Sequence, residues 1–220
     1  MSEKVNVFLK EQFGEVIVMD RKEFYKEAIQ EYKENLTTTK YVEVVNVLLF
    51  DENGDLILQK RSLNKGHNPG MLDKTVGGHM KYGESPNFTT MIELVQEIGV
   101  PSYILNPSED FYKYHKILKP FLETTAIVQN ISNSFVDTTK IINSEEIKIG
   151  NKIHFYMGIY YGAKKNRDSE VKGILYYGFD ELKKEIELNP NIFTHDLKFL
   201  ITKYESEIKE LISFIKNKNT

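Results

Sequence analysis

The chain contains no cysteine among its 220 residues. That absence excludes disulfide cross-links, thiolate metal ligands and cysteine nucleophiles together. Arginine is scarce as well, limited to Arg21, Arg61 and Arg167, and the formal net charge is −3. A general nucleic-acid binder usually carries a clear basic excess, so no nucleic-acid partner is expected. No run approaches the roughly 18 consecutive apolar residues needed to cross a bilayer, which argues against a membrane partner. The opening MSEKVNVFLKEQFGE lacks the basic-then-apolar order of a secretory signal. A cytoplasmic location is the resulting expectation. Internal repeats and low-complexity tracts are missing too.

What is present can fold. Hydrophobic residues make up 40% and charged residues 28%. The length suits one α/β domain with decorated ends. Residues 1–40 predict an N-terminal hairpin–helix extension, 41–190 the main domain, and 191–220 a long C-terminal helix. In the extension, 5–19 suggests two short extended pieces around Gly14. Asp20 then offers an N-cap, and Phe24, Ala28 and Tyr32 recur at helical spacing. YVEVVNVLLF, the DENGD turn and LILQKRS predict a hairpin over 41–62. Residues 64–83 are rich in Gly, Pro and Asn, and predict loop with brief extended pieces. A helix should start near Ser85–Asn87 and end at Gly99 and Pro101. Strands are expected over 124–131, 153–161 and 173–179, and a short helix over 180–188 that stops before Pro190.

The last helix carries the clearest pattern. Leu197, Leu200, Ile201, Tyr204, Ile208, Leu211, Ile212 and Ile215 form one apolar stripe. Such a stripe ordinarily covers its own domain; a homodimer contact is the alternative.

The stretch that suggests chemistry is GHMKYGESPNFTTMIELVQEIGV, from Gly78 to Val100. Glu93 and Glu97 stand four apart on the expected helix and so share a face, with Gln96 beside them. Glu84 lies in the loop that feeds the helix. Glutamates at this spacing are usually just solvated surface charges. Here, however, they follow Gly77 and Gly78, which allow close backbone approach to an ion or a phosphate. Carboxylates converging at such a turn suit a hard cation, Mg²⁺ or Mn²⁺. That ion would relieve their mutual repulsion and could neutralise a diphosphate.

At this point the sequence resembles the Nudix hydrolase family. Its box runs G-x5-E-x7-R-E-U-x-E-E-x-G-U, with U a bulky aliphatic residue. Gly78, Glu84, Glu93, Leu94, Glu97, Gly99 and Val100 fall in register, which is seven of the nine defined positions. The order GDLILQKRS, PGMLDKTVGGH and then the box is similar to the branch related to isopentenyl diphosphate isomerase. GEVIVMDRKEFYKEA and FTHDLKFLI resemble that branch too.

The resemblance implies an α/β/α sandwich around a mixed sheet, and a metal-dependent hydrolase of diphosphate linkages acting on a small-molecule diphosphate. It implies Glu93, Glu97 and Glu84 as catalytic, and Glu93, Glu97, Gly78 and Gln96 as the Mg²⁺ or Mn²⁺ set. Arg61 and Lys60 are substrate-binding candidates, since cations near the substrate mouth would hold a diphosphate, and His79 is a third because it adjoins Gly78 beside the expected phosphate loop.

Two positions depart from the pattern. Ile92 stands where the family has arginine, and Gln96 where it has the first of two adjacent glutamates. The family's arginine orients catalytic glutamates by charge-assisted hydrogen bonds, which isoleucine cannot make. A replacement base is therefore sought among Glu145, Glu146, Asp168 and Glu170, each of which is by default a solvated loop charge. The two departures keep open a second function: a Nudix-fold protein that binds a nucleotide or metabolite without turnover. The isomerase of the related branch uses a cysteine and a glutamate, and this chain has no cysteine.

Overall fold

The computed structural model describes residues 3–106, 109–163 and 171–217. One mixed sheet organises them. Strand β3 (Lys40–Phe50) is its axis. On one edge β3 pairs in parallel with β9 (Glu145–Ile159), from Tyr41↔Gly150 to Phe50↔Ile159. Its other edge is shared by three antiparallel strands in succession. These are β1 (Lys4–Leu9), β6 (Val76–His79) and β4 (Leu56–Arg61). The expected hairpin over 41–62 is present, but β3 and β4 stay paired only at Leu49↔Ile57 and Phe50↔Leu56. Strand β4 then turns away to pair with β5 (Leu72–Asp73) and β10 (Val171–Tyr177).

Alternation along β3 explains why its sequence is almost continuously apolar. Val42, Val44, Leu48 and Phe50 enter one core, whereas Val45, Val47 and Leu49 enter the other. A strand buried on both faces loses the polar–apolar rhythm of a half-exposed one. The smaller core is closed by α2 (Pro86–Ile98) through Leu94 and Ile98. The larger is covered by α1 (Arg21–Asn35) and by the C-terminal helices.

Both helices around the site end as their sequences predict. Asp20 caps α1 by accepting from the Lys22 and Glu23 amides. Ser85 caps α2, Pro86 occupies its first turn, and Gly99 closes it at φ 71°.

Three expectations are corrected, and two elements were not foreseen. Gly14 lies inside β2 (Gln12–Asp20), and the turn falls at residues 10–11. Strands β8 (Ala126–Ile142) and β9 form a long two-stranded arm in place of two short runs. The outer part of β8, from Asn130 to Thr139, is mostly polar and gives little apolar signal. A short strand β7 (Ser102–Leu105) and helix α3 (Phe111–Leu118) had no clear pattern. The C-terminal helix is broken at Tyr204 (φ −112°) into α5 (His195–Lys203) and α6 (Glu205–Asn217), while α4 (Phe179–Leu188) matches the short helix expected before Pro190. The stripe from Leu197 to Ile215 packs into the larger core of its own chain. Among the described residues, no helix is long and apolar enough to cross a membrane.

Candidate functional site

The site is built around two residues that have no side chains. Gly77 and Gly78 on β6 sit opposite Asn46 and Val45 of β3. A Cβ on Gly78 would overlap the carboxyl group of Glu93. A Cβ on Gly77 would overlap Lys74 Cε, and would stand 3.0 Å from Lys74 Nζ and 3.2 Å from Asn46 Oδ1. Successive strand residues face opposite sides. The two glycines therefore make room on both faces, for a glutamate of α2 on one and for Lys74 with Asn46 on the other.

A cavity of about 360 Å³ joins the two sides. Glu93 and Glu97 reach it from one face of α2. Gln59 Nε2 donates to Glu97 Oε2 at 2.8 Å, so β4 fixes this carboxylate from beneath the helix. Burial raises the Glu93 carboxyl above the usual glutamate range, although Lys81 and Arg21 pull the other way. Arg21, Arg61, Lys65, Lys74 and Lys140 also line the cavity.

Behind the cavity lies a buried charge network. Lys74 Nζ stands 3.2 Å from Asp73 Oδ1 and 3.3 Å from Asp196 Oδ2. Arg61 meets Asp73 Oδ2 at 3.0 Å, and the Thr194 hydroxyl donates to Asp73 Oδ1 at 2.7 Å. Burial opposes charge on Asp73, but Lys74 and Arg61 outweigh it and hold the carboxyl well below its ordinary range. Burial likewise works against the Lys74 ammonium, yet Asp73 and Asp196 keep it raised.

Two histidines line the same space without adding charge at neutral pH. His79 Nε2 lies 2.8 Å from the Tyr25 hydroxyl, and the His67 ring packs 4.5 Å from that of Tyr25. Burial first, then Lys140 and Arg61, push His67 down to about 3. Burial, with Arg21 and Lys140 nearby, also holds His79 well below the ordinary imidazole value.

The residues singled out from sequence divide in two. Glu93, Glu97, Gly78, His79 and Arg61 line the cavity together. Glu84 does not; it accepts from Thr89 Oγ1 at 2.9 Å and from the Lys81 amide at 3.4 Å, bracing the entry to α2. Gln96 is exposed on the outer side of α2, and Lys60 is outside the cavity wall. Both alternate away from residues that do line it, Gln96 from Glu97 on the helix and Lys60 from Arg61 on the strand. Glu145 pairs with Lys33 at 2.5 Å on the hairpin tip, and exposed Glu146 follows it. Asp168 and Glu170 lie outside the described residues.

Sequence reasoning missed Asn46, His67, Asp73, Lys74, Lys140 and Asp196. The charged pair Asp73–Lys74 just before the glycines was a usable signal. Nothing local marks Lys140, which comes from the distant β8 arm, and although Asp196 falls within the FTHDLKFLI stretch, nothing there shows that α5 returns it to the cavity.

A metal fits part of this wall. Among the described residues, no three Asp, Glu or His side chains gather closely enough for an all-side-chain cage. Two carboxylates one helical turn apart suit instead a Mg²⁺ completed by backbone carbonyl, water and phosphate oxygens. The raised Glu93 carboxyl agrees, since a divalent ion would reverse the balance that burial sets there.

The model of the NUDIX domain matches residues 40–196, spanning the glycines, α2 and Asp196. The chain belongs to the Nudix family. Proteins of this family generally use divalent metals and act on small-molecule diphosphates. An isopentenyl-diphosphate Delta-isomerase of Streptomyces avermitilis is 42% identical over 60 residues, which are 27% of this chain and 30% of that protein. The chain thus covers less than a third of the length of that relative. Another protein of that name, from Serratia proteamaculans, is 22% identical over 149 residues, 68% of each chain. An uncharacterized Nudix hydrolase of Pseudomonas aeruginosa is 33% identical over 66 residues, 30% of this chain and 39% of that one. A crystal structure from Deinococcus radiodurans superposes with a TM-score of 0.56 at 16% identity, over 91% of this chain and 98% of that chain, and so shares the fold.

Proposed function

We propose that this Nudix domain hydrolyses a diphosphate linkage in a small molecule, such as a nucleoside diphosphate joined to a second group. The observation that carries the reading is the apposition across one cavity of Glu93 and Glu97 with Arg21, Arg61, Lys65, Lys74 and Lys140. Carboxylates alone would repel a diphosphate, and cations alone would bind it without activating water.

Glu93, Glu97 and the Gly78 carbonyl are the residues that would hold Mg²⁺ or Mn²⁺. When bound, such an ion supplies neutralising charge for the phosphoryl oxygens. The chain's own groups do the rest. Gln59 holds Glu97 in one orientation. Half-buried Glu93 stands beside Glu97 on the same wall, where the two carboxylates together would hold the ion and position the attacking water. The cationic wall would bind and orient the diphosphate, leaving the linkage presented to α2.

Purified protein with Mg²⁺ or Mn²⁺ should cleave members of a panel of nucleoside diphosphate derivatives, followed by phosphorus NMR. Glu97→Gln should lower the rate about 100-fold or more, since it removes charge where the transition state needs it. A full panel left intact, or an equally active Glu97→Gln variant, overturns the reading.

A second reading is binding without turnover. The half-buried Ile92 favours it, because no guanidinium orients the glutamates from that position. Ligand recovered unchanged after binding would support it. Isomerase chemistry by the cysteine route has no residue to carry it, since the chain has no cysteine.

A further inference from the structure

The cavity cations are not equivalent. Arg21 is paired with Glu3, Arg61 with Asp73, and Lys74 with both Asp73 and Asp196. Lys140 is different. It is only 8% exposed and lines the cavity, yet among the described residues its ammonium makes no hydrogen bond or salt bridge. A buried ammonium with no hydrogen-bonding partner is expensive to keep, and a ligand oxyanion would supply that partner.

The surrounding structure delivers Lys140 with care. It sits far out on the β8 arm, opposite Ile147 of β9. The next residue is stitched to the loop that follows β4. The Asn68 amide donates to the Ile141 carbonyl at 2.9 Å, and the Ile141 amide donates to Asn68 Oδ1 at 2.7 Å. Asn68 itself is buried with φ 49°, a conformation asparagine tolerates better than most residues. This clamp fixes the arm against the cavity rim. Lys140 lends charge to Asp196, whose carboxyl it helps Lys74 to hold low, but the close contacts of Asp73 and Asp196 are made by Lys74 and Arg61. A hard oxyanion satisfies an ammonium in this position; an apolar group does not.

We propose that Lys140 is a substrate-binding residue that holds a phosphoryl group of the diphosphate, on the wall away from Glu93 and Glu97. The proposal rests on the diphosphate-handling reading of the cavity and adds to it a buried ammonium that, among the described residues, makes no hydrogen bond or salt bridge. Held this way, the diphosphate has its two ends on different elements, one toward α2 and the other toward the β8 arm.

The test uses the full chain with inorganic pyrophosphate as probe, in Mg²⁺, by isothermal titration calorimetry. Lys140→Met keeps the side chain's length and removes its charge. It should weaken pyrophosphate binding about 10- to 100-fold, the range for losing one charge-assisted hydrogen bond. Lys140→Arg should retain most of the affinity. Hydrolysis of any cleaved substrate should show a raised KM with kcat changed only a few-fold, as for a group that binds ground and transition states alike. The urea midpoint supplies a readout that a structural role would move the opposite way. Removing a buried charge that has no hydrogen-bonding partner should leave the midpoint unchanged or raised, whereas a structural lysine would lower it. Pyrophosphate bound equally by wild type and Lys140→Met overturns this proposal alone. Wild type that binds no pyrophosphate overturns it together with the proposed function. If Lys140→Met lowers the midpoint and Lys140→Arg does not restore tight binding, the lysine is structural and the proposal fails.

Discussion

The Lys74 ammonium and the Asp196 carboxylate stand 3.3 Å apart although 122 residues separate them in sequence. This pair ties the short link between β5 and the glycine strand β6 to the first turn of α5. Each partner is almost wholly removed from water, so each depends on the other. Breaking a buried pair from one side leaves an uncompensated charge, at roughly 3–5 kcal/mol. Lys74→Met should therefore destabilise the fold by about that amount in urea unfolding. Adding Asp196→Asn should recover part of the loss. A Lys74→Met midpoint equal to that of wild type would show that the network is not closed as described.

The adjacent glycines should respond differently to the same substitution. An alanine Cβ at Gly78 meets Glu93 from Cγ to its carboxyl, a half-buried side chain that can swing aside. Gly78→Ala should keep the stability within about 1 kcal/mol, in the range of ordinary small substitutions. It should lower hydrolysis by about 10- to 100-fold, because a misplacement of about 1 Å has that scale of effect. At Gly77 the alanine meets the buried Lys74. Gly77→Ala should cost more stability than Gly78→Ala. Equal effects from the two variants, in both assays, would contradict the two-faced notch.

How far the sequence reached follows the same division between local and distant information. The hairpin over 41–62, the capped helix α2 and the alternation within β3 were legible because each depends on neighbours in sequence. Glu93, Glu97, Gly78 and the adjoining His79 were found because one helix, one strand and the loop between them bring them together. Arg61 came from the second hairpin strand that precedes the notch. Lys140 and Asp196 were not found. Their place in the cavity depends on the β8 arm and on the return of α5, which no local pattern encodes. Glu84 and Gln96 stand apart from that group: Glu84 falls in register with the box but braces the helix entry, and Gln96, at an altered position of the box, is turned to solvent.

Acid should unfold the chain partly through Glu43. Burial alone would raise its carboxyl, but hydrogen bonds from His154, Lys152 and Asn6 prevail and lower it to about 2. Because the folded value is depressed, the stabilisation is present above the unfolded carboxyl range. It is lost as pH falls from about 4.5 towards 2. His67 acts in a neighbouring window. Its folded value of about 3 lies below the ordinary imidazole value of 6.5, so stability is whole above that upper value and declines as pH falls through the interval. Glu43→Gln should flatten the lower part of the stability–pH curve, and His67→Gln the upper part. Curves parallel to wild type in both variants would sink this account.

Gln59 supplies some of the order that Ile92 withholds. In the family pattern an arginine on the helix itself orients the glutamates, and here isoleucine occupies that position. The amide of Gln59 reaches Glu97 from β4 instead, at 2.8 Å. A neutral amide makes a weaker bond to a carboxylate than a guanidinium does. Glu97 is thus oriented less firmly but not released. Gln59→Leu should then lower kcat about tenfold while changing KM little, because the diphosphate is bound by the opposite wall. Mn²⁺ affinity, measured by calorimetry without substrate, should fall in the same variant, since a mobile carboxylate is a poorer ligand. That second measurement applies even to a protein that binds without turnover. Wild-type kcat and wild-type Mn²⁺ affinity in Gln59→Leu would mean that Glu97 is oriented by something other than Gln59.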